Sequence, residues 1–189
     1  MSASIDELHQ ALLRMLEAGT PSQTAAPTPV PPGATEGVAP DPSTTQPAVT
    51  QVTPPSVPCQ VVDAQLKGYH LDAHVTPDQV VPTARFLDDQ GFAIDTVTGV
   101  DWIAEEQMEI VYDFFHPTSS ARVAVRTRVP RAQPELPTIS GVFPGANWHE
   151  RETHDFYGIR FLGHPDLSPL LLPEDADYHP LRKDFPGAA

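Results

Sequence analysis

The chain predicts a mixed α+β domain: a small mixed sheet with helices on one face, a Pro-rich extended C-terminal tail, and an N-terminal helix separated from the rest by a disordered linker. Three observations predict it. Apolar and polar residues alternate through 69–75 and 121–129, the period of half-buried strands, while apolar residues recur at helical spacing in 5–16 and 80–87. Prolines crowd 20–58, which holds 11 of the 23 in the chain with few large aliphatic side chains, too little apolar surface to offset the entropy of ordering. The chain divides accordingly into an amphipathic helix (1–19), a linker (20–58), an α+β domain (59–146) and a last helix with its tail (147–189).

Ser4 and Glu7 are spaced as a capping box, Ile5, Leu8, Leu12, Met15 and Leu16 form an apolar stripe, and Gly19 and Pro21 stop the helix. That stripe needs a surface, either its own domain or a partner subunit; the length of the linker favours the partner. Cys59, the single cysteine, falls in the Pro-rich stretch and reads as a solvated thiol. The folded domain begins near Val61. Tyr69 to Val75 reads as a strand, and Thr76-Pro77-Asp78-Gln79 opens a helix that buries Val80, Ala84 and Leu87 and stops at Gly91. Pro82 removes a donor inside it, so either the first turn is distorted or the regular helix starts at Pro82.

Phe92–Val100 and Met108–His116 read as strands, and a turn at 117–120 leads into Ala121–Val129. Val123, Val125, Thr127 and Val129 share one face of the last strand; Arg122, Arg126 and Arg128 on the other lie across from Glu109 and Asp113, pairs worth roughly 0.2 to 1 kcal/mol each on a solvated face. After a break at 130–137, Asn147 with Glu150 marks a helix start and Gly158 its end. Beyond Phe161 six prolines between Pro144 and Pro186 exclude long helices, yet Leu167, Leu170, Leu171, Leu172, Leu181 and Phe185 remain, so the tail must lie along something.

Composition excludes several functions. With 11 Lys+Arg against 25 Asp+Glu the net charge is −14, a field that repels nucleic-acid backbones and anionic lipid. One cysteine cannot hold an iron–sulfur cluster, which usually takes four thiolates. His149 and His154 are five apart rather than four, so on a helix their rings diverge by ~140° and cannot both grip one ion. A metal-dependent hydrolase using His149, Glu150, Glu152 and His154 is therefore the remote reading. Arg151 between Glu150 and Glu152 favours their charged forms rather than a raised pKa, and Glu152 with Asp155 shares a helix face suited to pairing with Arg182, Lys183 or a partner's arginine.

The run Trp148-His149-Glu150-Arg151-Glu152-Thr153-His154-Asp155-Phe156-Tyr157-Gly158-Ile159, with Phe161-Leu162-Gly163-His164-Pro165-Asp166-Leu167 and His179-Pro180-Leu181-Arg182-Lys183-Asp184-Phe185-Pro186, resembles the signature of the C-type, or 30 kDa-type, subunit of respiratory complex I (NADH:quinone oxidoreductase), and of homologous subunits of energy-converting hydrogenases. Ser168-Pro169 stands where the complex I pattern usually continues with two arginines. The resemblance implies a cofactor-free, non-catalytic subunit in the hydrophilic arm, on the cytoplasmic side of a bacterial inner membrane. It implies as partners the large quinone-site subunit (D type, 49 kDa type) and the small cluster-bearing subunit (B type), with iron–sulfur clusters and quinone, or a NiFe centre, on those chains. It assigns partner contact to Trp148, Glu150, Arg151, Glu152, Asp155, Gly158, His164, Pro165, Asp166, Arg182, Lys183 and Asp184.

Overall fold

The computed structural model describes residues 4–18 and 58–187; nearly all of the expected linker lies outside them. The elements are α1 (Ile5–Ala18), β1 (Cys59–Val61), α2 (Ala64–Lys67), β2 (Leu71–His74), α3 (Val80–Asp89), β3 (Ala93–Trp102), β4 (Gln107–Phe115), β5 (Arg122–Pro130), β6 (Glu135–Pro137), α4 (Ala146–Tyr157) and β7 (Arg160–Leu162). Five strands form one mixed sheet in the order β1-β2-β5-β4-β3, and β6 and β7 pair in parallel beside it. The mixed α+β class holds. β1, α2 and the β6–β7 pair are not evident in the sequence, each being three or four residues long.

Register sorts the faces. Val123 opposes Phe114, Val125 opposes Tyr112, Thr127 opposes Ile110 and Val129 opposes Met108, so alternate residues of β4 and β5 meet on one buried face. Leu71 and Ala73 of β2 continue that face in parallel register with Val123 and Val125. The opposite face carries charge: Arg122 pairs with Asp113 (3.1 Å) and Asp95, Arg128 with Glu109 (3.4 Å) and Glu105, and Arg126 with Asp72 (2.9 Å). The expected cross-strand pairs at Asp113 and Glu109 are present.

A 3-10 turn, Pro77–Gln79, runs straight into α3, so Pro82 sits where the helix still has few donors to satisfy. The distorted first turn is the alternative realised. Thr76 and Gln79 form the capping box at its start.

Two expectations at the N-terminal end are corrected. α1 lies on its own domain, with Leu8, Leu12 and Leu16 at most 4% exposed and part of the main core. The Gln79 amide donates to the Leu16 carbonyl (3.1 Å), fixing the end of α1 against the turn before α3. Cys59 is 1% exposed, because strand alternation turns it to the core face opposite Ala73. Burial pushes its thiol up to about 12, with Asp72 adding to the shift, so it is unreactive as a thiolate.

Candidate partner-docking site

α4 begins at Ala146 after Gly145, not at Asn147. The chain arrives through a tight turn in which Phe143 N–H bonds Ile139 and Ala146 N–H bonds Phe143, so helical geometry is set before Asn147 and no side-chain cap forms. The end is as expected: Gly158 adopts φ +72° and its N–H returns to the His154 carbonyl. A Cβ there would also run into His179 and Arg182. Thr153 Oγ1 donates to the Val97 carbonyl (3.2 Å), and Gly99 lies under Tyr157, where a Cβ would come within 2.6 Å of the ring. α4 is thereby seated on β3.

The tail folds back over α4 and is tied to it. One oxygen of Asp155 accepts three consecutive backbone N–H groups, from Leu170 (2.8 Å), Leu171 (2.7 Å) and Leu172 (3.2 Å). Burial raises the pKa of Asp155, but these three donors outweigh it and hold the carboxyl below its ordinary value. His179 donates through Nδ1 to the Asp155 carbonyl (2.8 Å), and Arg182 Nε donates to the Tyr157 carbonyl (2.7 Å), satisfying the end of the helix. Arg151 donates to the Ser168 carbonyl and hydroxyl and to the Pro169 carbonyl, and its guanidinium lies 5.5 Å from the centre of the Trp148 ring.

The expected pairing of Glu152 and Asp155 with Arg182 and Lys183 is therefore corrected. Asp155 faces backbone donors, Arg182 faces a carbonyl, and Glu152 is exposed without an ion pair among the described residues. The tail is held at its far end by a different acid. Asp101, 0% exposed at its side chain, takes Arg131 in a two-pronged pair (2.8 and 3.0 Å) and accepts the Lys183 N–H (2.8 Å), while Arg131 reaches on to Asp184 (2.6 Å). The Arg131 guanidinium holds Asp101 below the usual carboxylate range. No spacing in the sequence pairs Asp101 with Arg131, which are 30 residues apart and meet only through the sheet.

Glu150 is not an exposed partner of Arg151. It points inward, fully buried, where it accepts the Ile139 N–H (2.8 Å) and the Thr138 hydroxyl, with His164 Nε2 at 3.7 Å. Burial raises its pKa to about 7, against the two hydrogen bonds. The expectation that arginine would favour its charged form fails because Arg151 projects to the tail instead. Asp166 N–H donates to His164 Nδ1, so the proton of the neutral ring lies on Nε2, which donates to the Asn147 carbonyl (3.3 Å).

Of the twelve signature residues, Glu150 and His164 meet inside the domain, while Arg151, Asp155, Gly158, Arg182, Lys183 and Asp184 fasten the tail. Asp166 closes its own turn by accepting the Ser168 N–H, next to exposed Pro165. Trp148, Leu171, Tyr178 and Leu181 are left 60%, 59%, 41% and 49% exposed on the same helix and tail. Among the described residues, no three His, Cys, Asp or Glu side chains are grouped to hold a metal ion, and no helix is long and apolar enough to cross a membrane.

Residues 73–189 match the family described as respiratory-chain NADH dehydrogenase, 30 Kd subunit. The chain is 41% identical to the C-type subunit of the NADH-quinone oxidoreductase of Roseiflexus sp. (strain RS-1) over 131 residues, 67% of this chain and 75% of that one. It is 40% identical to the corresponding NADH-quinone oxidoreductase subunit from Azorhizobium caulinodans over 136 residues, 69% and 64% of the two chains. Among solved structures it resembles a chain of the membrane-bound sulfane sulfur reductase, an archaeal respiratory membrane complex, at 29% identity and a TM-score of 0.57 over 62% of this chain and 72% of that one.

Proposed function

Because this chain belongs to the 30 kDa-subunit family of respiratory-chain NADH dehydrogenases, we propose that it is a cofactor-free scaffold subunit in the hydrophilic arm of an NADH:quinone oxidoreductase. In this reading it sits peripherally on the cytoplasmic side of a bacterial inner membrane and positions the large D-type quinone-site subunit and the small B-type cluster-bearing subunit. The iron–sulfur clusters and quinone belong to those partners. One observation carries the reading: the described residues after β7, 163–187, form no helix or strand, yet they are pinned to α4 and β3 by Asp155, Arg151, Arg182 and Asp101, with Trp148, Leu171, Tyr178 and Leu181 held facing outward. A tail ordered this firmly while presenting large apolar side chains suits a preformed docking surface, since little entropy remains to be lost on binding.

The test compares assembly with folding. Leu171→Asp and Leu181→Asp should abolish co-purification with the large subunit while leaving the urea midpoint of the isolated chain unchanged, because both side chains are about half exposed. Assembly that survives both substitutions would remove the docking assignment. The likeness to the archaeal complex, together with Ser168-Pro169, supports a second reading: the equivalent subunit of another energy-converting membrane complex, such as a NiFe hydrogenase. A large subunit co-purifying with nickel would select it.

A further inference from the structure

Of the eight arginines in residues 58–187, seven donate to a carboxylate or a carbonyl. The remaining one, Arg85 of α3, forms no hydrogen bond or ion pair among the described residues, although Asp88 and Asp89 follow on the same helix. It lines a surface cavity of about 450 Å³ together with Val81, Ser140, Gly141, Asn147 and Pro165. The half-buried Asn147 lies in the first turn of α4, and its side-chain amide likewise has no hydrogen bond among the described residues. The Ser140 hydroxyl on the rim is already engaged: the Thr138 hydrogen goes to Glu150, so Ser140 donates to Thr138 Oγ1 (2.8 Å). A guanidinium and an amide thus converge on one hollow between apolar walls, with no acid among the described residues answering them.

We propose that this cavity receives the carboxylate of an aspartate or glutamate carried by a neighbouring subunit, making it a second contact point beyond the tail. The proposal rests on the reading of the chain as a subunit of an assembly. Carboxylate is the chemistry that fits, since a guanidinium fork takes its two oxygens and an amide hydrogen of Asn147 can complete the set. A partner is the source because the chain carries a net charge of −14, a field that keeps free anions dilute near its surface. A carboxylate fixed on a docked subunit is delivered by that subunit's other contacts and meets the cavity at high effective concentration. Position agrees: Asn147 precedes Trp148, so the cavity borders the surface already assigned to docking.

Arginine labelling with phenylglyoxal, read by mass spectrometry, tests it on the full chain and on the assembled complex. Arg85 should react at least about ten-fold more slowly in the complex than in the free chain. An Arg85→Lys variant of the complex, treated with a carbodiimide, should form an amide between the introduced lysine and a partner's aspartate or glutamate, with loss of water. Equal labelling in both states, or no such cross-link, overturns the proposal. Glutarate protecting Arg85 in the free chain as strongly as assembly does would also overturn it, in favour of a free carboxylate ligand. The two readings fail separately: wild-type chain that finds no partner sinks the assembly reading, whereas a wild-type complex with Arg85 fully reactive sinks only the cavity.

Discussion

Glu150 and His164 face each other across 3.7 Å inside the domain, with neither side chain exposed to solvent. No lysine or arginine hydrogen-bonds either of them, and the orphaned hydroxyl of buried Tyr112 is pushed well above its ordinary value by burial and by the charge on Glu150. The surroundings therefore favour the protonated acid.

That preference gives Glu150 a stability signature of unusual sign for a carboxyl group. Its pKa rises from 4.5 to about 7 on folding, so the folded state binds the proton more tightly. The stabilisation is full below 4.5 and is lost as pH rises from there through about 7, on the order of 3 kcal/mol in all. Glu150→Gln should flatten that slope. Urea midpoints measured from pH 4.5 to 8 would show it; a parallel fall in both proteins would show that Glu150 is not the group responsible.

Asp155→Ala should free the tail while leaving the sheet intact. Hydrogen bonds to a charged acceptor contribute roughly 1.5 to 3 kcal/mol, and here three backbone donors lose theirs at once. Because the pKa of Asp155 is depressed on folding, its contribution is present above the ordinary aspartate value of 3.8 and disappears as pH falls below it. Limited proteolysis should cut the variant within 168–187 first. Unchanged cutting there would show that other ties suffice.

Arg131→Met leaves Asp101 buried and uncompensated, a loss of about 3 to 5 kcal/mol where one partner of a buried pair is removed. The double variant with Asp101→Asn should recover much of that. Thermal unfolding of the single and double variants measures the difference, and no recovery would place the cost in lost packing of the arginine stem.

Leu12→Ala should loosen α1 before it unfolds the domain. A buried Leu→Ala change costs about 2 to 5 kcal/mol, but the loss cannot exceed the docking energy of the helix, since beyond that point α1 simply lifts away. The thiol beneath reports this: alkylation of Cys59 should accelerate at a urea concentration where the sheet is still folded. Alkylation that tracks global unfolding in wild type and variant alike would make α1 an integral part of the core.

The long alternating runs were legible in the sequence because a single face decides them: Val123, Val125, Thr127 and Val129 can be buried together only as a strand. Gly158 was legible because a left-handed residue ending a helix has few alternatives. What escaped depends on contacts between distant segments. The burial of Cys59 follows from a three-residue pairing with β2, too short to show a period. Glu150 sits among charged neighbours that suggest a solvated face, and only the arrival of Thr138 and Ile139 turns it inward. The anchoring of Leu170 to Leu172 by Asp155 required the tail's backbone path, which the prolines constrain without specifying.

The parallel pairing of β2 with β5 sets a schedule for the newly made chain. Leu71 is bonded in register with Val123, so the ribosome must release more than 50 further residues before β2 can join the sheet. Until then β1 has no settled neighbour and the leucines of α1 no floor to rest on, although α1 emerges before either strand. α1 is thus made before the sheet but seated only after it, and an arrest-peptide force profile should register its folding event only after β5 has cleared the exit tunnel.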